Sequence, residues 1–377
     1  MPKEMLMPRR FRQTFTDSFF GTFVYDTVIP RSHFLVQLDR VIAWDQFTPG
    51  LVQAYKGKAE RGEVPYNPVL ILKMLLISYL YDISERRTEE FCTYYLPAKA
   101  FLGLGVTEPA PDHSTLSAFK ARLVEHMGLA HYESLFDSII RQAQAAGIQF
   151  GNIQLVDAVH TVANVNNEKD RKRQERGQPS ADPDATVVNK GTQTVTAPDG
   201  TQHEQEITYL AYKSHVSLDA ETGIVTSVKP TIGSVADNTQ MPYLVQHDAA
   251  LHIPAHTYGG DKAYDDGDLH ELLWDLKKHS ALRLHTYRTA KKDAHKELWL
   301  KLKQSPFYQA GLKLRFRIER KFGEGKAWHG FGRCRYRGLE RYKVQSFLTF
   351  MVLNLKRIVL LLTGVRFRPL AKELVEA

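Results

Sequence analysis

At residues 153–165, IQLVDAVHTVANV, the chain changes from helix-forming to strand-forming sequence. β-Branched and apolar residues dominate this stretch, which is typical of a strand. Asp157 lies at its centre, where an acid is disfavoured and is costly to bury without a metal or a hydrogen-bonding partner. We therefore predict a strand that presents a functional carboxylate; the alternative is a turn or capping role for Asp157.

Strand and helix patterns alternate after this point. Residues 211–233, AYKSHVSLDAETGIVTSVKPTIG, divide at Glu221–Gly223 into two β-rich runs, as a hairpin does. A helix at about 240–248, a strand in HTYGGDKAY, a helix in DGDLHELLWDLKKH and a strand at ALRLHTY follow. This order predicts an α/β fold with a mixed sheet flanked by helices.

The N-terminal part of the chain has a mostly helical pattern. Asn67 and Pro68 form a good N-cap and first-turn pair for VLILKMLLISYL, which is apolar nearly all round and is predicted to be central in a helical core. Ser84, and Asp112 or Ser114, can cap the next helices. These short helices fit either a helix-turn-helix DNA reader or a plain helical domain.

The patterns divide the chain into three regions. We expect a helical domain, an α/β domain and a C-terminal helical extension, over residues 1–145, 146–345 and 346–377. A polar segment at about 166–209, which holds the basic run KDRKRQER and several prolines, is predicted to be an insertion in the α/β domain.

The composition is that of a globular protein without a disulfide framework. Hydrophobic residues make up 43% and charged residues 24% of the 377 residues, so the chain can bury a core without metal or disulfides. Cys92 and Cys334 are far apart, and the first twenty residues lack the apolar core of a secretory signal. The apolar stretches 69–80 and 347–363 are too short or too charged to span a membrane. We expect a cytoplasmic protein with buried apolar helices and no membrane contact.

Positive charge is concentrated in one segment. The net charge of the chain is +8, and residues 313–343 alone contain eleven Lys and Arg against three acids. Six aromatic residues lie among them, which suits a surface that follows nucleic-acid phosphates. The alternative is a solvated helix face.

Two further acids, Asp261 and Glu319, are candidates for the same functional site as Asp157. Asp261 in YGGDKAY lies near a strand end, where α/β sheets place functional residues. Glu319 shares one helical face with Arg315, Phe322 and Lys326, because the offsets are 4, 3 and 4. Three carboxylates suit a pair of Mg²⁺ ions, which Mn²⁺ can replace, for phosphodiester chemistry. Glu319 could instead pair with neighbouring cations, and Asp261 could cap a turn.

Taken together, these motifs resemble a bacterial insertion-sequence transposase of the DDE type, with a ribonuclease H-like catalytic domain after an all-α DNA-binding domain. HFLVQLDRVI through PDHSTLSAFKARL is similar to the helical domain of that family, and LVDAVHTVANV and GGDKAYDD resemble its first two acidic motifs. Many members carry Tyr-x2-Arg-x3-Glu-x6-Lys on the last catalytic helix. Arg315, Glu319 and Lys326 hold those spacings, with Leu312 at the Tyr position.

The resemblance implies a role for each motif. Asp157 would bridge two metal ions, and Asp261 and Glu319 would each hold one. The predicted DNA contacts are Arg315 and Lys326, which would grip terminal phosphates, and the adjacent Arg320 and Lys321. In the AYKSH motif, Lys213 and His215 are either structural or in contact with DNA.

The implied partner is double-stranded DNA, as the terminal inverted repeats of the element and as target. A homodimer would act on paired ends in the bacterial cytoplasm, at the nucleoid. A metal-dependent nuclease of the same fold and a catalytically silent DNA-binding descendant are the alternatives. A histidine-based zinc hydrolase is disfavoured, because Pro254 interrupts the HxxxH pair His252 and His256.

Overall fold

A computed structural model describes residues 11–12, 19–53, 64–128, 130–196, 201–285 and 301–369. It divides into two compact units. Unit 1 comprises Met1–Gln142 and Ile358–Ala377, and unit 2 comprises Ala143–Arg357.

Unit 1 is built from helices, as predicted. The central helix, Pro68–Leu80, begins where Asn67 Oδ1 accepts a hydrogen bond from the Val69 amide at 2.9 Å, and twelve of its thirteen residues are buried. The helices in chain order are α1 (Phe19–Val28), α2 (Phe34–Val41), α3 (Thr48–Gln53), α4 (Pro68–Leu80), α5 (Glu85–Tyr94), α6 (Leu96–Leu102), α7 (His113–Met127) and α8 (Ala130–Ala145), which runs into unit 2.

Unit 2 contains a six-stranded mixed sheet in its described residues. The strands are β1 (Ile153–Val162), β2 (Thr186–Thr196), β3 (Gln202–Asp219), β4 (Val225–Ile232), β5 (Thr257–Gly260) and β6 (His279–Leu282). Their order is β2-β3-β1-β5-β6, and β4 pairs with the second half of β3. β1 runs antiparallel to β3 and parallel to β5, so the predicted strand at 153–165 is central.

The helices of unit 2 lie between its strands and after the last strand. They are α9 (Asn167–Glu175), α10 (Met241–Ala250), α11 (Gly267–Asp275), α12 (Pro306–Leu314), α13 (Phe316–Trp328) and α14 (Leu339–Thr363). α12 packs directly on the sheet at Gly311, where a β-carbon would overlap Cβ of Ala281 and would lie 3.7 Å from Cα of Gly259. This close approach sets where the chain enters α13.

Two segments differ in detail from the sequence prediction. The polar segment at 166–209 is ordered into α9, β2 and the start of β3, and β2 lengthens the sheet by pairing with β3 from Thr186↔Ala211 to Thr196↔Gln202. The predicted strand ALRLHTY is shorter, because β6 ends at Leu282, and its last residues, 286–287, lie outside the described residues.

The boundary predicted between 345 and 346 is wrong, because it falls inside α14. Residues of this helix up to Arg357 belong to unit 2. By length and composition α14 could cross a membrane, but 67% of its most apolar stretch is buried inside the protein, as in the core helix of a globular domain.

Candidate active site

Asp157 on β1 lies beside Asp261, which directly follows the neighbouring parallel strand β5. β1 and β5 pair at Leu155↔Gly259, and two residues further along each strand direction come Asp157 and Asp261. The Asp261 Oδ1 accepts a hydrogen bond from the Ala263 amide at 2.8 Å, which fixes it at the start of the turn after β5. The parallel pairing of β1 and β5 thus brings the two acids side by side in the middle of the sheet, where β5 ends.

Glu319 reaches the same place from a helix. It lies in the first turn of α13, and its Oε1 accepts a hydrogen bond from Nη2 of Arg315. Nη1 of Arg315 lies 3.9 Å from Oδ2 of Asp261. The guanidinium of Arg315 therefore joins the second and third predicted acids.

The first acid is the most buried of the three. Burial raises the pKa of Asp157 to about 7, and the charges of Asp261 and Asp237 act in the same direction. The Ala158 amide, which donates to Oδ1 at 2.8 Å, and the charge of Arg315 oppose this rise. The electrostatic coupling to both Asp261 and Arg315 places Asp157 in the same acidic group.

The donor set fits a divalent cation. Tyr264, in the turn after Asp261, is completely buried, and its hydroxyl has no partner among the described residues. Burial raises the pKa of this phenol, and the charges of Asp237, Asp157 and Asp261 raise it further. Several carboxylates around one buried hydroxyl are costly unless a positive charge joins them. Hard oxygen donors of this kind are those that Mg²⁺ and Mn²⁺ prefer.

A second acidic group lies in unit 1. Potential ligand atoms of Glu89, Asp112 and His113 lie within 4.8 Å of one another. Glu89 Oε2 accepts hydrogen bonds from the His113 amide at 2.9 Å, and its contact with Nδ1 is 2.7 Å, while Asp112 Oδ1 caps α7 at Ser114. These contacts explain why the three side chains lie together, since they fix the start of α7.

Two of the predicted DNA contacts, Arg315 and Lys326, share the helical face of Glu319, and a third, Arg320, lies elsewhere on the surface of α13. Arg320 and Lys326 are exposed. Burial lowers the pKa of His160 on β1 to about 4, and the positive charges of Lys213 and Lys326 lower it further. Arg315 is 22% exposed at the side chain, so it is open to a ligand from solvent.

Lys321 is not at this surface, which corrects its prediction as a DNA contact. Its side chain is 10% exposed, and Nζ lies 3.1 Å from Oε2 of Glu324. The other oxygen of Glu324 pairs with Lys356 of α14 at 2.6 Å. Lys321 points toward α14 because it lies on the opposite side of α13 from Glu319.

Lys213 and His215 are structural, so the alternative of a DNA contact is not supported. Lys213 is 9% exposed, and its Nζ donates to the Val235 carbonyl at 2.8 Å and to Asp237 Oδ1 at 2.9 Å. His215 is completely buried, and its Nε2 lies 3.0 Å from Thr231 Oγ1. Burial lowers the pKa of His215 to about 4, so its ring is neutral at pH 7.

Leu312 has a packing role. It is partly buried against the apolar cluster of Ala281, Leu284 and Tyr308, where α12 packs on the sheet. The position at which the family motif has Tyr is thus filled by an apolar contact with the sheet.

Two family models match the chain. A transposase domain of the DUF772 family matches residues 23–122, and a transposase DDE domain matches residues 180–355, which include Asp261 and Glu319. The chain belongs to the DDE transposases. The family confirms the predicted ribonuclease H-like class and an enzyme that cuts and transfers DNA strands, and it implies dependence on divalent metal.

Solved transposase structures show more distant similarity. The piggyBac transposase in a synaptic complex with hairpin DNA has 10% sequence identity and a TM-score of 0.42, over 94% of this chain and 78% of that one. The Mos1 transposase in a paired-end complex also has 10% identity, with a TM-score of 0.21, over 72% of this chain and 82% of that one.

Sequence reasoning overlooked two residues of this DDE transposase site. Asp237, in GSVADN, accepts from Lys213 and contributes charge near Asp157, and Tyr264, in DKAYDD, supplies the buried phenol. A signal was present for Tyr264, since a hydroxyl three residues after a strand-end acid is close to it in a tight turn. Asp237 is brought in by the pairing of β3 with β4, which the local sequence does not reveal.

Proposed function

We propose that this transposase cuts and joins DNA at the ends of its own insertion sequence, and that Asp157, Asp261 and Glu319 hold the Mg²⁺ ions on which the reaction depends. The observation that carries the proposal is the convergence of three acids from β1, from the end of β5 and from α13 around Arg315. When bound, Mg²⁺ would act as a Lewis acid for the attacking and leaving oxygens, and Mn²⁺ would substitute.

The protein's own groups bind and orient the DNA. Arg315 offers a planar fork to one phosphate, while Lys326 and Arg320 offer further positive charge along α13. Water attacks the phosphodiester at the element's end, and the freed 3′-hydroxyl then attacks target DNA. No nucleophile from the protein is required, in keeping with a site made of carboxylates and cations.

We further propose the partners and compartment of the reaction. The substrate is double-stranded DNA carrying terminal inverted repeats, and a homodimer holds the two ends, because both must be joined in one event. Light scattering on the complex with DNA would contradict the dimer if a single protomer carried both ends. Two buried free cysteines, Cys92 and Cys334, are compatible with the bacterial cytoplasm, where the element and target DNA lie in the nucleoid.

A cleavage assay tests the proposal. Purified protein is incubated with DNA that carries the flanks of its own gene, with and without Mg²⁺, and the products are resolved on a denaturing gel. We expect sharp Mg²⁺-dependent cuts and joined products, with at least about a hundredfold loss in Glu319→Gln. The matched control is Glu340→Gln, an exposed acid that pairs with Lys343 on α14 and should cut normally.

Each contrary result has a distinct meaning. Cuts without joined products would favour a nuclease of the same fold. End binding without cleavage would favour a catalytically silent descendant. Full activity in Glu319→Gln would remove Glu319 from the proposed site.

A further inference from the structure

Arg315 lies between two of the proposed metal ligands, Asp261 and Glu319. It lies at the junction of α12 and α13, and its two terminal nitrogens point to different partners, Nη1 to Asp261 and Nη2 to Glu319. Its positive charge also offsets part of the rise that burial causes in the pKa of Asp157. One guanidinium therefore balances part of the charge of all three proposed metal ligands.

A guanidinium and a metal ion compete for the same oxygens. The carboxylate oxygens of Asp261 and Glu319 that face Arg315 are also the ligand atoms that a divalent cation would bind. An ion bound beside Arg315 would also meet its positive charge at close range, where Coulomb repulsion in a partly buried site is strong. Metal affinity is thus lowered for as long as Arg315 faces the acids.

Arg315 is held by one hydrogen bond, to the half-exposed Glu319, and by one longer contact, to Asp261, so another anion can replace them. Its contact with Asp261, at 3.9 Å, is longer than a hydrogen bond, and Glu319 is 52% exposed at the side chain. A DNA phosphate offers Arg315 a bidentate partner with at least as much negative charge as one carboxylate. Lys326, two turns beyond Glu319 and exposed, brings positive charge to the same face of the helix.

We propose that Arg315 keeps the acidic site closed to divalent cations until a DNA phosphate binds its guanidinium. This inference rests on the proposed function and deepens it, since it makes Arg315 a positioning residue that couples DNA binding to metal binding. Because coupling between two ligands is reciprocal, bound metal also strengthens DNA binding. Metal loading then occurs mainly on protein that already holds its substrate.

Mn²⁺ binding, followed by electron paramagnetic resonance without any DNA, tests the proposal directly. We expect Arg315→Gln to bind Mn²⁺ about five- to tenfold more tightly than the wild-type protein, at the lower end of the usual range for coupled sites. Lys313→Gln removes an exposed positive charge two residues away and should leave Mn²⁺ affinity unchanged. Arg315→Lys keeps the charge and should remain close to wild type, which guards against a folding effect in the Gln variant.

A random-sequence DNA duplex at low salt supplies the second half of the test. Adding it should tighten Mn²⁺ binding to the wild-type protein and have a much smaller effect on Arg315→Gln. Unchanged or weaker Mn²⁺ binding in Arg315→Gln would overturn the inference, because Arg315 would then support the ligands rather than oppose the ion.

The two proposals fail in different ways. Asp157→Asn should abolish the Mn²⁺ signal, whereas Glu89→Gln, in the acidic group of unit 1, should not. A signal that survives Asp157→Asn and is lost in Glu89→Gln would overturn the proposed active site itself. A signal that depends on Asp157 but not on Arg315 would overturn only the coupling.

Discussion

Glu324 shows how a single acid can withdraw one cation of α13, Lys321, from the surface. It lies between Lys321 and Lys356, and Lys356 Nζ also lies 2.8 Å from Nε2 of the buried His329. Although burial opposes it, the two lysines lower the pKa of Glu324 to about 2. The acid thereby fixes Lys321 against α14, away from the surface on which Arg320 and Lys326 lie.

Glu324→Gln should destabilise the protein by about 2 kcal/mol at pH 7, because it leaves a buried lysine without its counter-charge at a site that is still partly solvated. Since the folded pKa lies below the usual value of 4.5, the wild-type stabilisation is complete above 4.5 and is lost as the pH falls toward 2. Chemical denaturation of both proteins across this range measures the difference. A constant difference from pH 7 to pH 3, or a gap no larger than that of the exposed Glu340→Gln, would contradict this account.

At the scale of elements, the contact between α12 and the sheet positions the helix that carries Glu319. Gly311 on α12 meets Ala281 of β6 and Gly259 of β5, and Gly259 lies two residues before Asp261. The same contact therefore sets the distance between the strand that ends in Asp261 and the helix that presents Glu319.

Gly311→Ala should destabilise the protein by about 1–3 kcal/mol and lower DNA cleavage more than tenfold, because the methyl group pushes α12 off the sheet. Thermal unfolding and the cleavage assay measure both effects. Gly323→Ala is the matched control: no atom lies within 4 Å of the added carbon, so it should stabilise α13 by about 0.5–1 kcal/mol. Equal stability of the two variants would show that α12 does not need this close approach.

Elements that depend on local sequence were predicted well. The N-caps at Asn67 and Ser84 and the hairpin break at Gly223, which has a φ of 69°, are confirmed. Each of these features is determined by a few residues that are neighbours in the sequence. The pairing of β2 with β3 was not predicted, because a polar edge strand lacks the alternating apolar pattern of a core strand.

In the candidate site too, features set by local sequence could be predicted, and features set by distant parts of the chain could not. Asp157 could be predicted because an acid is out of place within an apolar strand, and Asp261 because it follows a strand end. The spacing of Arg315 and Glu319 follows from helical geometry. The burial of Lys321 and His215 depends on which neighbouring element covers each face, and that information lies far along the chain.

For the whole molecule, the charge of residues 313–343 serves two purposes. Part of it is structural: Arg317, Arg333 and Arg337 donate hydrogen bonds to the backbone carbonyls of Ala220, Val165 and Asn164. Of the others, Arg315 and Lys326 share the helical face of Glu319, because their offsets from it are four and seven residues. The positive charge of the segment is therefore partly used inside the fold, and two of its cations lie on the helical face of Glu319.

The central claim is that metal binds between Asp157, Asp261 and Glu319 in a protein that holds DNA. Crystals of the complex with DNA, grown with Mn²⁺, would locate the ion by its anomalous scattering. We predict the strongest peaks within coordination distance of these three carboxylates, with Arg315 on a phosphate. Peaks confined to Glu89, Asp112 and His113, or ions bound to DNA alone, would contradict the account.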